Sequence, residues 1–257
     1  MNRLSQFVTA SLLALAPTAL YAQTPEKPKH EIEVRGLFTV PGGEANFTTT
    51  GQTGDSVSFE RDFDFHSELG FEARYTYRHP EGRHKLLVGY ETADWSRTTI
   101  LSRTFTFAGQ TYTANLEATG DLKLRVFRGM YAYRWGNEKF RFGPMADMGI
   151  VSAKLNISSV TNTGTRSSEG SRAKFAATVG YDLEYDPSPK VNIFHNLGAI
   201  AFLGDHLFHT EAGVKVYFTN NFGVTGGYKA RRYKFDDDEK FLRITAHGPF
   251  VGGVLRF

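Results

Sequence analysis

The stretch KFAATVGYDLEY, from Lys174 to Tyr185, alternates between two kinds of side chain. One parity carries Phe175, Ala177, Val179, Tyr181, Leu183 and Tyr185, and the other carries Lys174, Thr178, Asp182 and Glu184 among small residues. Successive side chains of a β-strand point to opposite faces, so a period of two predicts a strand with one apolar and one ionised face. The same period recurs in ELGFEARYTYR at 68–78 and in FHTEAGVKVYFT at 208–219.

The length of these segments favours strands that cross a membrane. Strands of globular proteins average about 5–6 residues, whereas a transmembrane strand needs about 9–11. The pattern predicts about ten strands, near residues 31–40, 66–78, 84–96, 121–135, 139–155, 173–185, 191–202, 208–219, 222–234 and 241–257. Eight strands with one hairpin outside the membrane are the alternative.

Two of the predicted strands alternate imperfectly. The apolar parity of 121–135 changes near Val126 and Phe127, which predicts a bulge or a segment standing above the bilayer. Strand 191–202 has apolar residues on both faces and places His195 on the less favourable one. The connections alternate as well, with short turns near 79–84, 135–139, 185–190 and 219–221. Longer polar segments lie between them, and 156–172 is predicted to be a mobile loop.

Composition excludes several classes of function. Cysteine is absent, so a disulfide framework, a zinc–thiolate site and a cysteine nucleophile are excluded. The net charge of +3 is too small to indicate a nucleic-acid partner. Nothing in the sequence indicates a cofactor.

The first 22 residues have the pattern of a secretory signal peptide. Arg3 supplies the positive region, an apolar stretch runs from Phe7 to Ala16, and Leu20-Tyr21-Ala22 is a cleavage site of the expected kind. We therefore expect a signal peptide at 1–22, a short leader at 23–30 and a single domain at 31–257.

The segment GPFVGGVLRF, from Gly248 to Phe257, has Val251, Gly253, Leu255 and Phe257 on one parity. It resembles the C-terminal strand of bacterial outer-membrane β-barrel proteins, which ends in Phe and is recognised during assembly. The resemblance implies an all-β, closed, antiparallel up-and-down transmembrane β-barrel in the outer membrane, of the small monomeric OmpA- or OmpW-like kind. It implies outer-membrane lipid, lipopolysaccharide and the outer-membrane assembly machinery as partners, with Phe257 as the assembly signal.

The inward parity of such a barrel is heavily charged here. Its predicted network comprises Glu33, Arg35, Glu72, Arg74, Glu91, Arg141, Asp147, Asp182, Glu184, Glu211, Lys215, Lys229 and Arg231, with Arg78, Lys85, Arg128, Arg134, Lys174 and His209 on the same parity. A barrel of this size is barely wider inside than its side chains, so these charges have to pair. We expect a largely plugged interior with a structural, adhesive or narrow-pore role, in which any leak weakly favours anions.

Two clusters suggest other chemistry. His209 and Glu211 are weak candidates for general-base catalysis in a lipid- or peptide-hydrolysing enzyme, but no nucleophile accompanies them. Asp236, Asp237, Asp238 and Glu239 are weak candidates for a divalent cation and lack EF-hand spacing. We therefore expect neither catalysis nor a metal site. A soluble periplasmic barrel that binds a hydrophobic ligand is a further alternative.

Overall fold

The computed structural model describes residues 29–47, 54–161, 164–202, 205–237 and 240–257. The predicted signal peptide 1–22 and residues 23–28 of the leader lie outside these ranges. Within them, no helix is long and apolar enough to cross a membrane.

The described chain is built from β-strands. They are β1 (His30–Phe47), β2 (Val57–Ser58), β3 (Glu68–Arg78), β4 (His84–Ile100), β5 (Phe105–Phe107), β6 (Gln110–Tyr112), β7 (Glu117–Tyr133), β8 (Trp135–Gly136), β9 (Phe140–Thr161), β10 (Gly164–Ser188), β11 (Val191–Phe202), β12 (Asp205–Tyr217), β13 (Phe222–Asp237) and β14 (Lys240–Arg256). The ten long strands are those of the predicted barrel, and β2, β5, β6 and β8 are short additions.

The ten long strands form one closed antiparallel ring. Each pairs with its neighbours in sequence, and β14 returns to pair with β1, with Ile32 opposite Leu255. Phe257 completes this seam, because its backbone exchanges two hydrogen bonds of 2.9 Å with His30. Closure leaves no open edge among the ten described long strands, which is the condition for a sheet in lipid. The predicted closed up-and-down barrel is confirmed, with ten strands rather than eight.

The two ends of the barrel differ. The short-turn end carries the turns around residues 79–83, 137–139, 189–190 and 218–221, together with His30 and Phe257. The loop end carries residues 54–67 of the β1–β3 connection, the connection 101–116, and the ends of β9 and β10, of β11 and β12, and of β13 and β14. In outer-membrane barrels the short turns face the periplasm and the long loops face outward.

An apolar belt surrounds the half of the wall next to the short-turn end. Its outward residues include Val34, Phe71, Val88, Phe127, Met148, Val179, Val214, Val224 and Val251, all of them exposed. Aromatic side chains collect near the turns, among them Tyr75, Tyr131, Trp135, Phe140, Tyr185, Phe218 and Phe222. Such a belt with an aromatic girdle is stable in a bilayer, where aromatic rings prefer the interface.

Beyond the belt the same strands continue as an extension with a polar outer face. The strands β9 and β10 have 22 and 25 residues, about twice what a bilayer crossing needs. Outward ion pairs join neighbouring strands there, such as Arg125 with Asp94 and Lys154 with Glu169. A wall that is polar outside belongs in water, so this part stands clear of the lipid.

This extension corrects two predictions. Residues 156–172 are not a mobile loop, because they continue the β9–β10 ladder up to the pair Gly164–Thr161 and only 162–163 lie outside the described residues. The strand β7 has no bulge near Val126 and Phe127, since its register against β4 and β9 is unbroken. Its change of apolar parity marks where the strand leaves the lipid. A segment standing above the bilayer was the second of the two alternatives that the sequence pattern predicted.

Outward histidines of the wall are paired with aromatic hydroxyl groups on neighbouring strands. The pairs are His30–Tyr75 (2.7 Å), His84–Tyr131 (2.8 Å), His195–Tyr181 (2.9 Å) and His247–Tyr228 (2.7 Å). His195 also contacts the Thr210 hydroxyl at 3.0 Å through its other ring nitrogen. Polar atoms in hydrocarbon are costly without a partner, so these pairs explain how the wall tolerates His195 on its outer face.

Candidate functional site

The interior of the barrel contains ionic side chains at the short-turn end. Lys85 Nζ donates to Asp182 Oδ1 at 2.8 Å and to Glu184 Oε1 at 2.7 Å. Arg134, between β7 and β8, reaches Glu184 at 2.8 Å. Glu31, which was not among the predicted network, pairs with Lys215 and accepts a hydrogen bond of 2.8 Å from the Tyr217 hydroxyl. These contacts join strands across the lumen.

A second ionic layer follows toward the middle of the barrel. Glu211 on β12 accepts from Arg35 Nη1 and from Arg74 Nη1, both at 2.7 Å. Lys229 on β13 bridges Glu72 at 2.7 Å and Glu91 at 2.6 Å. The two layers together are called the ionic interior below, and the same carboxylates are shared by several cations. Shared, buried pairs of this kind hold opposite walls at fixed separation.

All members of the predicted network lie inside the barrel. Glu33, Arg35, Glu72, Arg74, Glu91, Asp147, Asp182, Glu184, Glu211, Lys215, Lys229 and Arg231 are buried, and Arg141 is mostly buried beside Asp186. The structure adds Glu31, which the alternation alone also places inward. It was missed because it is the first residue of the predicted strand.

The lumen of the loop end is apolar, in contrast to the expected charge. Its inward residues include Ala93, Trp95, Leu122, Leu124, Val126, Val151, Leu155, Ile157, Phe235, Leu242 and Ile244, all buried. Phe59, Phe63 and Phe65 from the β1–β3 connection enter this space together with Phe105, Phe107 and Tyr112 from β5 and β6. We call these buried residues the loop-end core. In the belt the apolar side chains face outward, whereas here they face the lumen, because the outer face of this part of the wall meets water.

The connecting segments fit closely against the wall of the loop-end core. A side-chain carbon at Gly120 would lie 2.6 Å from the ring of Phe63, so the absence of a side chain there makes room for that ring. Trp95 Nε1 donates to the carbonyl of Thr39 at 2.8 Å. The Tyr112 hydroxyl donates to the carbonyl of Ile157 at 2.8 Å. The polar atoms of the buried aromatic residues are thereby satisfied.

An ion pair ties the two connecting segments together. Arg103, which precedes β5, donates to both oxygens of Asp62, at 2.9 Å and 2.7 Å. The backbone N–H of Ser58 donates to the same carboxylate at 2.8 Å. Burial acts to raise the pKa of Asp62, but the hydrogen bonds from Arg103, Arg61 and Ser58 outweigh it and leave the pKa below its ordinary value.

The ion pair between Asp62 and Arg103 predicts that the attachment of the β1–β3 connection to the barrel depends on pH. A lowered pKa means that the stabilisation is complete above the unfolded-state value of about 4 and is lost as the pH falls through the folded-state value. Asp62→Asn removes the charge at every pH and is expected to cost about 1–2 kcal/mol. Backbone amides of 58–66 should then exchange with deuterium about 5–30-fold faster at pH 7.

The matched control is Asp64→Asn in the same turn. Asp64 is exposed and has a φ of 51°, a conformation that asparagine also adopts. We expect its exchange at pH 7 to equal that of the unaltered protein. Equal exchange in the Asp62 and Asp64 variants would show that the ion pair does not hold the connection in place.

The two catalytic candidates face the lumen but do not form a catalytic pair in the described structure. The carboxylate of Glu211 is held by Arg35 and Arg74. The ring of His209 lies instead against Asp147 at 3.7 Å and Thr178 at 3.4 Å. Both side chains are buried.

The remaining candidates lie at the rims. Asp236 and Asp237 end β13, and Asp238 and Glu239 lie outside the described residues. Among the residues that were described, no group of three or more His, Asp or Glu side chains is arranged to hold a metal ion. The ring of Phe257 stacks on His30 at the barrel seam, with centroids 5.6 Å apart.

Closure, the apolar belt, the aromatic girdle and the unequal ends define the fold class as an outer-membrane β-barrel. No protein-family model and no curated protein sequence matches the chain. Similar solved structures include the outer membrane protease OmpT of Escherichia coli, with 9% identity and a TM-score of 0.56, covering 90% of this chain and 97% of that one. The translocator domain of the autotransporter NalP of Neisseria meningitidis has 12% identity and a TM-score of 0.47, covering 89% of each chain. At 9% identity the likeness to OmpT is one of fold alone.

Proposed function

We propose that this protein is a closed, non-enzymatic outer-membrane barrel that anchors a rigid extension at the outer surface of the membrane. The observation that carries the proposal is that the lumen is filled at two successive levels. The ionic interior occupies the half inside the belt, and the loop-end core occupies the half above it. The role is thus structural or adhesive rather than that of a pore.

The chemistry of the ionic interior and of the loop-end core supports a lumen through which ions do not pass. A permeating ion would have to separate carboxylates from cations that hold them at 2.6–2.8 Å, as around Lys229 and Lys85. Breaking a buried pair costs about 3–5 kcal/mol. It would next have to shed its hydration shell among Phe59, Phe63 and Trp95, because an apolar constriction expels water.

The outer face of the extension supports a role in contact with another surface or a partner. Its strands carry polar and charged residues outward, including Ser96, Asp121, Lys123, Lys154 and Glu169. Hydrogen bonds between neighbouring strands, such as the Ser96 hydroxyl to Asp121 at 2.6 Å, hold this surface in a fixed shape. A rigid polar surface outside the lipid suits contact with another surface or partner.

The same geometry argues against the hydrolase alternative. Both oxygens of Glu211 are engaged by Arg74, which keeps that carboxylate from acting as a base toward a substrate. His209 is 7% exposed and lies between the two filled levels of the lumen. A general base has to reach the proton that it removes, and neither side chain meets this condition.

Single-channel recording tests the proposal. The purified full-length protein, reconstituted in a planar bilayer, is expected to give no stepwise current at either polarity. An open porin in the same bilayers is the positive control, and heat-modifiable gel migration confirms that the sample is folded. Stepwise, weakly anion-selective openings would instead support the narrow-pore role.

A further inference from the structure

A small cavity lies where the ionic interior meets the loop-end core. Its volume is about 30 Å³, and its polar lining consists of Arg128, Asp147, Thr178, His209, Arg231 and Tyr233. These residues come from the strands β7, β9, β10, β12 and β13. A polar cavity of this size has room for one or two particles of the size of water.

Two arginines supply most of the hydrogen-bond donors in the polar part of the lining. Arg128 is 4% exposed and Arg231 is 2% exposed. Within the described part of the chain, Arg128 Nε and Nη2 and Arg231 Nη2 have no hydrogen-bond partner. The one carboxylate among the described lining residues, Asp147, has its Oδ2 3.4 Å from Arg128 Nη1, without a hydrogen bond of its own, and leaves those donors unmatched.

The surrounding contacts do not supply the missing acceptors. Arg231 contacts Glu91 at 2.8 Å through Nη1, which leaves Nη2 3.9 Å from the nearest carboxylate oxygen of Glu72. The missing side chain of Gly198 makes room for the ring of His209, since a side-chain carbon there would lie 2.4 Å from the ring. Buried donors without acceptors are costly, and buried cations are more so.

We infer that this cavity binds one small monovalent inorganic anion of the halide class, such as chloride. Two guanidinium groups face a single carboxylate, so the lining favours a negative particle over a cation or a neutral molecule. The volume of about 30 Å³ admits a halide and is too small for an organic acid the size of gluconate. The bound anion completes the hydrogen bonding of Arg128 and Arg231 and belongs to the structure of the barrel, independently of the proposed surface role.

Crystals of the full-length protein grown with sodium bromide test the site directly. The expected result is an anomalous bromide peak inside the cavity, within hydrogen-bond distance of Arg128 and Arg231. Density there without an anomalous signal would mean that water fills the cavity, and this result would overturn the inference.

Salt-dependent unfolding tests the role of Arg128. In detergent, the midpoint of heat-modifiable unfolding should be several degrees higher in sodium chloride than in sodium gluconate of equal ionic strength, because gluconate is too large to enter. Arg128→Gln should abolish that difference. Arg125→Gln, the same change on the outward face of the same strand, should preserve it.

Asp147→Asn keeps the inference testable if Arg128→Gln does not fold. Removing the one carboxylate from the lining should strengthen anion binding, so the midpoint difference between chloride and gluconate should increase. An unchanged or smaller difference in this variant, or equal midpoints of the unaltered protein in the two salts, would contradict the inference.

Discussion

Replacing Glu211 by alanine is expected to lower the free energy of unfolding by about 3–5 kcal/mol, because it breaks a buried ionic network by removing one partner. Glu211 is 1% exposed and neutralises Arg35 and Arg74 at the centre of the ionic interior. Removing it leaves two guanidinium groups in a confined lumen with less than their full complement of negative charge. The cost arises from these unpaired cations more than from the lost contacts.

Denaturant titration in lipid vesicles measures this effect, and Glu169→Ala provides the control. Glu169 pairs with Lys154 at 2.6 Å on the water-facing wall, with both side chains nearly half exposed. Exposed pairs contribute about 0–1 kcal/mol, so the control should unfold almost as the unaltered protein does. Similar losses in the two variants would mean that the interior is hydrated and screened.

A double variant tests whether the loss of stability comes from the unpaired cations or from the lost contacts. Combining Glu211→Ala with Arg74→Met removes one of the cations that the first change leaves unpaired. We expect the double variant to be more stable than the sum of the two single changes predicts, because residues of one network are not additive. Strict additivity would contradict a shared network.

Replacing Val179 by arginine is expected to cost about 2–4 kcal/mol, the value for a basic residue near the bilayer midplane. Val179 is 63% exposed and lies midway along the outward apolar residues of β10, opposite Ala146 and Ala199. An ordinary surface position that is so exposed would tolerate the same change within about 0.5 kcal/mol. The large expected loss therefore depends on lipid, not on packing.

Ser171→Arg is the matched control, since Ser171 faces outward on the same strand beyond the belt. It lies opposite Lys154, where the wall meets water. We expect little change in the unfolding free energy in vesicles. If arginine were tolerated equally at both positions, the belt would not be in contact with hydrocarbon.

The sequence predicts the barrel well because the bilayer imposes a local rule on it. Wherever a strand crosses lipid, each outward residue has to be apolar regardless of its partners, so the period of two is clear in 68–78 and 174–185. The inward positions of charges such as Glu72 and Asp182 follow from the same alternation. The pairing of those charges across the lumen does not, because it depends on barrel closure.

The loop-end core could not be predicted from local alternation. Where β7 leaves the lipid, its outer face becomes polar and its inner face apolar, so the two parities exchange roles at Val126 and Phe127. Which aromatic residues fill the lumen is set by contacts distant in sequence, such as Phe63 against Gly120. The one local signal was the recurrence of Phe59, Phe63 and Phe65 in a connection that is otherwise mostly polar.

A spin-label scan along β7 and β9 in lipid vesicles tests most directly whether the wall is divided between lipid and water, and the cysteine-free sequence makes it simple. Single cysteines at Phe127 and Met148 should carry labels accessible to oxygen dissolved in lipid. Labels at Lys123 and Asn156, on the same outward faces, should be accessible to a water-soluble nickel complex instead. Aqueous accessibility at all four positions, or the reverse assignment, would contradict a wall that changes from a lipid-facing belt to a water-facing extension.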